Sequence, residues 1–223
     1  DHFGRNTVDR FTQSECTFVS SRVSFLRSNR RPIDILALVQ VFMGSVEPFE
    51  EYTDRYDRWF EEHEFVYLSE LAALRRLVPS TGYGIEIGVG SARFAAPLGM
   101  QVGIDPSGEQ LRHARDRGVE VVKGVAEFLP FQDNYFDIAL IVTTICFVDD
   151  VRQTMTEAER VLGSGGSLVI GYIDANSPVG EIYRAKATES PFYSNAVFVR
   201  TEELLEHLEA AGFADFEIVQ TVF

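Results

Sequence analysis

Glu86, Gly88 and Gly90 follow an apolar run, and Asp105 closes the next one, Gln101-Val102-Gly103-Ile104. Two glycines spaced by one residue let a backbone turn tightly and approach a ligand closely. An acid at the tip of the following strand can accept hydrogen bonds from both hydroxyls of a ribose. The spacing therefore points to a nucleoside held at the carboxyl edge of a parallel sheet.

Two cofactors compete for such a loop. A dinucleotide loop is written G-x-G-x-x-G/A. Here Arg93 stands at its third position, where a long side chain is expected to crowd a pyrophosphate. S-adenosylmethionine (SAM) has no phosphate and carries a sulfonium and an ammonium, so the anionic Glu86 suits it. SAM is the expected cofactor and S-adenosylhomocysteine its product.

Composition narrows the partners. The chain has 223 residues, 45% of them hydrophobic, which suits one domain with a sizeable core and an appendage. A net charge of −14 repels phosphates and disfavours nucleic acid. Cys16 and Cys146 offer neither a disulfide framework nor zinc-ligand spacing, and no metal is expected. No apolar run reaches the roughly 18 residues of a membrane helix, and nothing reads as a signal peptide. The cytoplasm is the expected compartment.

The elements that must position the loop follow from periodicity. Residues 1–46 carry six arginines and no clear helical period and read as an extension of uncertain order, with a buried strand or short helix over Ile33–Met43. Phe49, Tyr52, Tyr56, Trp59 and Phe60 fall at helical spacing behind Pro48, and a second helix is expected over Glu64–Leu77. Residues 47–80 thus form a helical cap, read either as ordinary packing or as a lid over the cofactor. Beyond it strands and helices alternate. Strands are expected near Gly84–Ile87, Val102–Ile104, Val119–Val122, Phe136–Val142 and Ser167–Ile173. Helices are expected near Ala92–Leu98, Gly108–Arg117, Asp150–Leu162 and Thr201–Ala211. Alternation of this kind gives an α/β fold with a doubly wound, mostly parallel sheet.

Four motifs now stand in order: Glu86 to Arg93, Gly103 to Ser107, Lys123 to Asp137, and Arg160 to Ile170. Over Tyr83–Phe223 the chain resembles the class I SAM-dependent methyltransferases, specifically the small-molecule group called methyltransferase type 11. The resemblance implies a Rossmann-like domain over residues 81–223 with strand order 3-2-1-4-5 plus a sixth strand over Phe216–Phe223. It implies cofactor contacts from Glu86, Gly88, Gly90, Asp105, Pro106, Ala126, Glu127 and Thr143, with Tyr52 and Tyr56 added from the cap. Ala92 replaces the third glycine of the family's loop, and two further departures matter. Val125 replaces an Asp that reaches the adenine amino group, and Thr143-Thr144-Ile145-Cys146 stands where the family often has His-His. The family's final antiparallel strand is missing from the sequence after Phe223. The expectation is a C-terminally truncated domain, or a slot filled by another segment.

Methyl transfer from SAM is an in-line displacement at a carbon already activated by the sulfonium. It needs alignment and exclusion of water more than a catalytic triad. The candidates for a catalytic role are His63 and Tyr56. Tyr172, Asp174 and Asn176, after the fifth strand of the parallel set, are expected on the substrate side. The function read here is methyl transfer to a small-molecule acceptor. The alternatives are a SAM-binding or partner-binding module without catalysis and an NAD(P)-dependent oxidoreductase.

Overall fold

The computed structural model describes residues 17–23 and 46–221. The Ile33–Met43 segment and the last two residues of the expected sixth strand lie outside them. Seven strands form one sheet: β1 (Thr17–Val23), β2 (Gly84–Ile87), β3 (Val102–Asp105), β4 (Glu120–Lys123), β5 (Phe136–Val142), β6 (Leu162–Tyr172) and β7 (Phe213–Gln220). Their order is β4-β3-β2-β5-β6-β1-β7. The strands from β4 to β6 run parallel, with Ile85 opposite Val102 on one side and Ala139 on the other. This is the expected 3-2-1-4-5 order, with β2 at the centre.

The strand missing at the end of the chain is supplied from its beginning. β1 lies between β6 and β7 and pairs antiparallel with both, Thr17 facing Tyr172 and Gln220. The truncated edge expected from the sequence is corrected here: the slot is filled. The sequence hid β1 because Thr-Phe-Val-Ser-Ser-Arg-Val has only three apolar residues, and its partners lie about 150 and 200 residues away. Phe18 and Val19 point to opposite faces and are both buried.

Each face of the sheet carries its own core. Ile85, Ile87, Ile104, Ile141, Ile170 and Val19 pack against α6 (Val151–Val161) and α8 (Thr201–Ala211). Ile138, Leu140, Val169 and Phe18 face the other way. There they meet α3 (Glu64–Leu77), α5 (Gly108–Asp116) and α7 (Pro178–Lys186), the last not expected from the sequence. Among the described residues no helix is long and apolar enough to cross a membrane.

Two expected helices differ in extent. The helix after β2 shrinks to one turn, α4 (Ala95–Leu98), because Gly88, Gly90 and Ala92 all take positive φ and keep the chain out of helix until then. The cap helix is two helices, α1 (Glu47–Glu51) and α2 (Thr53–Glu62), broken at Tyr52. Buried Thr53 donates from its hydroxyl to the Phe49 carbonyl at that break.

Phe18 crosses the sheet onto Gly171, where a side-chain carbon would lie 2.7 Å from its ring. Phe18→Ala is expected to lower stability by about 3–5 kcal/mol. Urea unfolding checks it; a loss below about 1 kcal/mol means that β1 adds little to the domain.

Candidate active site

The ends of β2 and β3 are laced together before any ligand is considered. The N–H groups of Gly88 and Val89 donate to the Ile104 carbonyl at 2.8 and 3.0 Å. The Asp105 carboxylate accepts from Gly90 N–H at 2.9 Å and from Ser107 N–H at 2.8 Å. Burial pushes this carboxyl up to about 6, and Glu50 adds to the rise, while the two N–H groups and Lys123 oppose it.

A cavity of about 820 Å³, including its open mouth, lies over these loops. Of the residues singled out from sequence, Gly88, Gly90, Asp105, Pro106, Ala126, Glu127, Thr143 and Tyr56 line it. Val125, at the position of the family's Asp, also lines it and makes that wall apolar. Phe49, Gln110, Thr144 and Phe147 line it as well and were not singled out. Residues of different loops meet there, and no short motif joins them.

Several expectations are corrected by this geometry. Glu86 does not line the cavity. It is buried beside α4, where one carboxylate oxygen accepts from the Ala95 N–H and the other has no partner. Burial raises its carboxyl well above the ordinary value, and Asp105 adds to the rise. A side chain at position 88 would meet Thr144, at 2.2 Å, and Gly88 has φ +72 besides. Arg93 turns away from the loop, so it does not crowd a phosphate. It binds Asp57 at 2.6 Å and Glu61 at 3.1 Å and lies over the Phe60 ring. Tyr52 is exposed, with its ring 6.4 Å from Phe192, and is outside the lining. His63 caps α2: its Nδ1 donates to the Trp59 carbonyl at 3.0 Å, and its ring stacks on Trp59. Tyr172 and Asp174 anchor the start of α8 through Thr201, and the Asn176 N–H donates to Asp174; none of the three lines the cavity.

Tyr56 reaches the site from the cap, as Phe49 does. Its hydroxyl shares a hydrogen bond with the Thr143 side chain. Burial, then the Asp105, Glu86 and Glu70 carboxylates, raise its phenol far above the ordinary value, so it stays protonated. Its ring stands 5.6 Å from Phe49 and 5.7 Å from Phe192. Phe147 closes the group, 5.2 Å from Phe49.

The cap is fastened to both loops by carboxylates. Glu50 accepts from the N–H groups of Gly108 and Glu109 at 2.7 and 3.1 Å. Asp57 accepts from Ser91 Oγ at 2.7 Å, from Arg93 and from Arg117 at 2.7 Å. Burial raises the Asp57 carboxyl, but these hydrogen bonds outweigh it and hold the group at about 2.

The profile of the family described as "Methyltransferase domain" matches residues 85–170. An uncharacterized protein of Methanocaldococcus jannaschii is 42% identical over 175 residues, covering 78% of this chain and 85% of that protein. An uncharacterized protein of Mycobacterium tuberculosis is 38% identical over 162 residues, 71% of this chain, and the match spans 57% of that protein's length. The crystal structure of a Thermotoga maritima SAM-dependent methyltransferase, described as a possible histamine N-methyltransferase, superposes with a TM-score of 0.74 at 48% identity. That match covers 76% of this chain and 82% of the other.

This chain is a class I SAM-dependent methyltransferase of the type 11 family. SAM is its cofactor. The cavity fits that group in kind: Asp105 has acceptor capacity left after its two N–H partners, and Gly90 leaves open space above the loop, with no heavy atom nearer than 3.7 Å to where a side-chain carbon would stand.

The raised Asp105 carboxyl gives a pH test with a definite sign. Its folded-state value lies above the ordinary 3.8, so its share of ligand-free stability is complete below about 3.8 and is lost as pH rises through about 6. The ribose contact expected of Asp105 needs the ionised form and runs the opposite way. Affinity for S-adenosylhomocysteine is expected to rise between pH 5 and 7 in the wild type and to be flatter in Asp105→Asn. Calorimetric titration reads both, and parallel profiles remove Asp105 from the ribose.

Proposed function

We propose that this methyltransferase moves the methyl group of SAM to a small-molecule acceptor in the cytoplasm, by alignment and exclusion of water. The observation that carries this reading is the position of the aromatic cap residues Phe49 and Tyr56 in the wall of the same cavity as Gly88, Gly90 and Asp105. When bound, the cofactor supplies an activated methyl carbon. In this reading Asp105 holds the ribose, Pro106, Val125 and Ala126 flank the adenine, and Gly88 and Gly90 let the backbone come close. Glu127 acts at one remove. Its Oε1 accepts from the Asp149 N–H at 2.8 Å and shapes the wall that Asp149 shares. Glu86 likewise supports the loop from below.

Phe49, Tyr56 and Phe147 keep water from the reacting centre and present ring faces to a cationic sulfur. Tyr56 is not read as a base, because its phenol holds its proton across the physiological range. A net charge of −14 and an aromatic wall favour a small metabolite over a polynucleotide.

Incubation with SAM and a broad metabolite pool, followed by mass spectrometry for methylated products, tests the reading. Formation of S-adenosylhomocysteine together with a methylated metabolite is expected. Tight binding with no product from any pool favours a non-catalytic module. Tyr56→Phe, which keeps the ring, is expected to retain SAM affinity within a few-fold and to lower kcat less than tenfold. Abolished turnover at unchanged affinity would assign the hydroxyl a proton-transfer role and refute the cover.

A further inference from the structure

Gln110 carries a polar atom that nothing in the ligand-free protein satisfies. The residue is 1% exposed, and its Oε1 has no hydrogen-bond partner. Local helix chemistry explains why. Ser107 caps α5, accepting from the Gln110 N–H at 3.2 Å. In a Ser-x-x-Gln box the Gln side chain normally reaches back to the N–H of the Ser. Here that N–H already donates to Asp105 Oδ1. The Gln110 side chain instead forms part of the cavity wall, and its Nε2 reaches the Phe49 carbonyl only at 3.5 Å. Buried amide oxygens without donors are rare and costly to keep.

The free oxygen has a definite direction. A side-chain carbon at position 90 would lie 3.7 Å from Gln110 Oε1 and 3.8 Å from Tyr56 Cε1. The N–H of the same glycine donates to Asp105 Oδ2. Gln110 Oε1 and the Asp105 carboxylate thus flank one residue of the cofactor loop.

We propose that Gln110 is a further cofactor-binding residue whose Oε1 accepts a hydrogen bond from a ribose hydroxyl of SAM, sharing the sugar with Asp105. The assignment rests on the reading of the cavity as the SAM site. The Tyr56 ring edge stands at the same point. The other donors the cofactor offers are its ammonium and the adenine amino group, and the choice among the three is measurable.

Gln110→Met keeps the length and burial of the side chain and removes the acceptor; Gln110→Leu is a second variant of the same kind. Each is titrated by calorimetry with S-adenosylhomocysteine, with 5′-methylthioadenosine, which has the ribose but no amino-acid portion, and with the purine-riboside analogue of the latter, which keeps the ribose but lacks the adenine amino group. The Tm of each ligand-free protein is measured alongside. All three ligands are expected to bind about tenfold more weakly than they do to the wild type. The ligand-free Tm is expected to stay level or rise, because an unpaired buried oxygen has been removed. Weakening confined to S-adenosylhomocysteine moves the donor to the ammonium, and weakening absent only from the purine-riboside analogue moves it to the adenine amino group; either overturns the ribose assignment. Unchanged affinity with a lower Tm makes Gln110 a structural tie to Phe49 and overturns the proposal. A wild type that binds none of the three ligands refutes the SAM site itself, which distinguishes that failure from this one.

Discussion

The carboxylate of Asp105 joins two loops that share no sequence neighbourhood. It accepts the Gly90 N–H from the loop after β2 and the Ser107 N–H from the start of α5. An ionised carboxylate has about four acceptor sites, so two remain after those bonds are made. The same contact aims Gly90, removes the capping-box partner of Gln110 and sets the floor of the cavity. Burial makes the carboxyl reluctant to ionise, and the two N–H groups offset part of that cost.

The cap repeats this chemistry at two further points. Glu50 closes on the first turn of α5, and Asp57 closes on Ser91 and Arg93 beside the glycine loop. Each clamp stands next in sequence to an aromatic residue of the cavity wall, Phe49 before Glu50 and Tyr56 before Asp57. The placement of those rings is therefore fixed by their neighbours as well as by ring packing. Asp57 is largely sheltered from solvent, with side-chain exposure of 13%. Its charge-assisted bonds are worth more than the exposed Arg112–Glu109 pair, since solvent screens the latter.

β1 shows that the sheet requires an occupant for a slot more than a particular place in the chain for it. An antiparallel strand between β6 and β7 completes both ladders, and Thr17–Val23 supplies it from the opposite end of the sequence. Pairing depends on exposed backbone groups and a face that buries Phe18 and Val19, and both are available to any strand of suitable register.

The sequence by itself determined the α/β alternation, the central β2, the glycine loop and Asp105, because these are written in local periodicity and in residues a few positions apart. Motif order also set Pro106, Ala126 and Thr143 on the side of the sheet where the cavity lies. Only tertiary structure decided which side chains reach the cavity. Glu86 and Arg93 sit in the most recognisable motif, yet one is buried beneath the loop and the other faces the cap, because strand alternation and an ion pair direct them there. Gln110, Thr144 and Phe147 reach the wall through contacts between elements, which no spacing along the chain records. The break at Tyr52 turns that residue outward and leaves Tyr56 over the site. The antiparallel strand was legible as a vacancy, but its occupant was not, since pairing across about 150 residues leaves no local pattern.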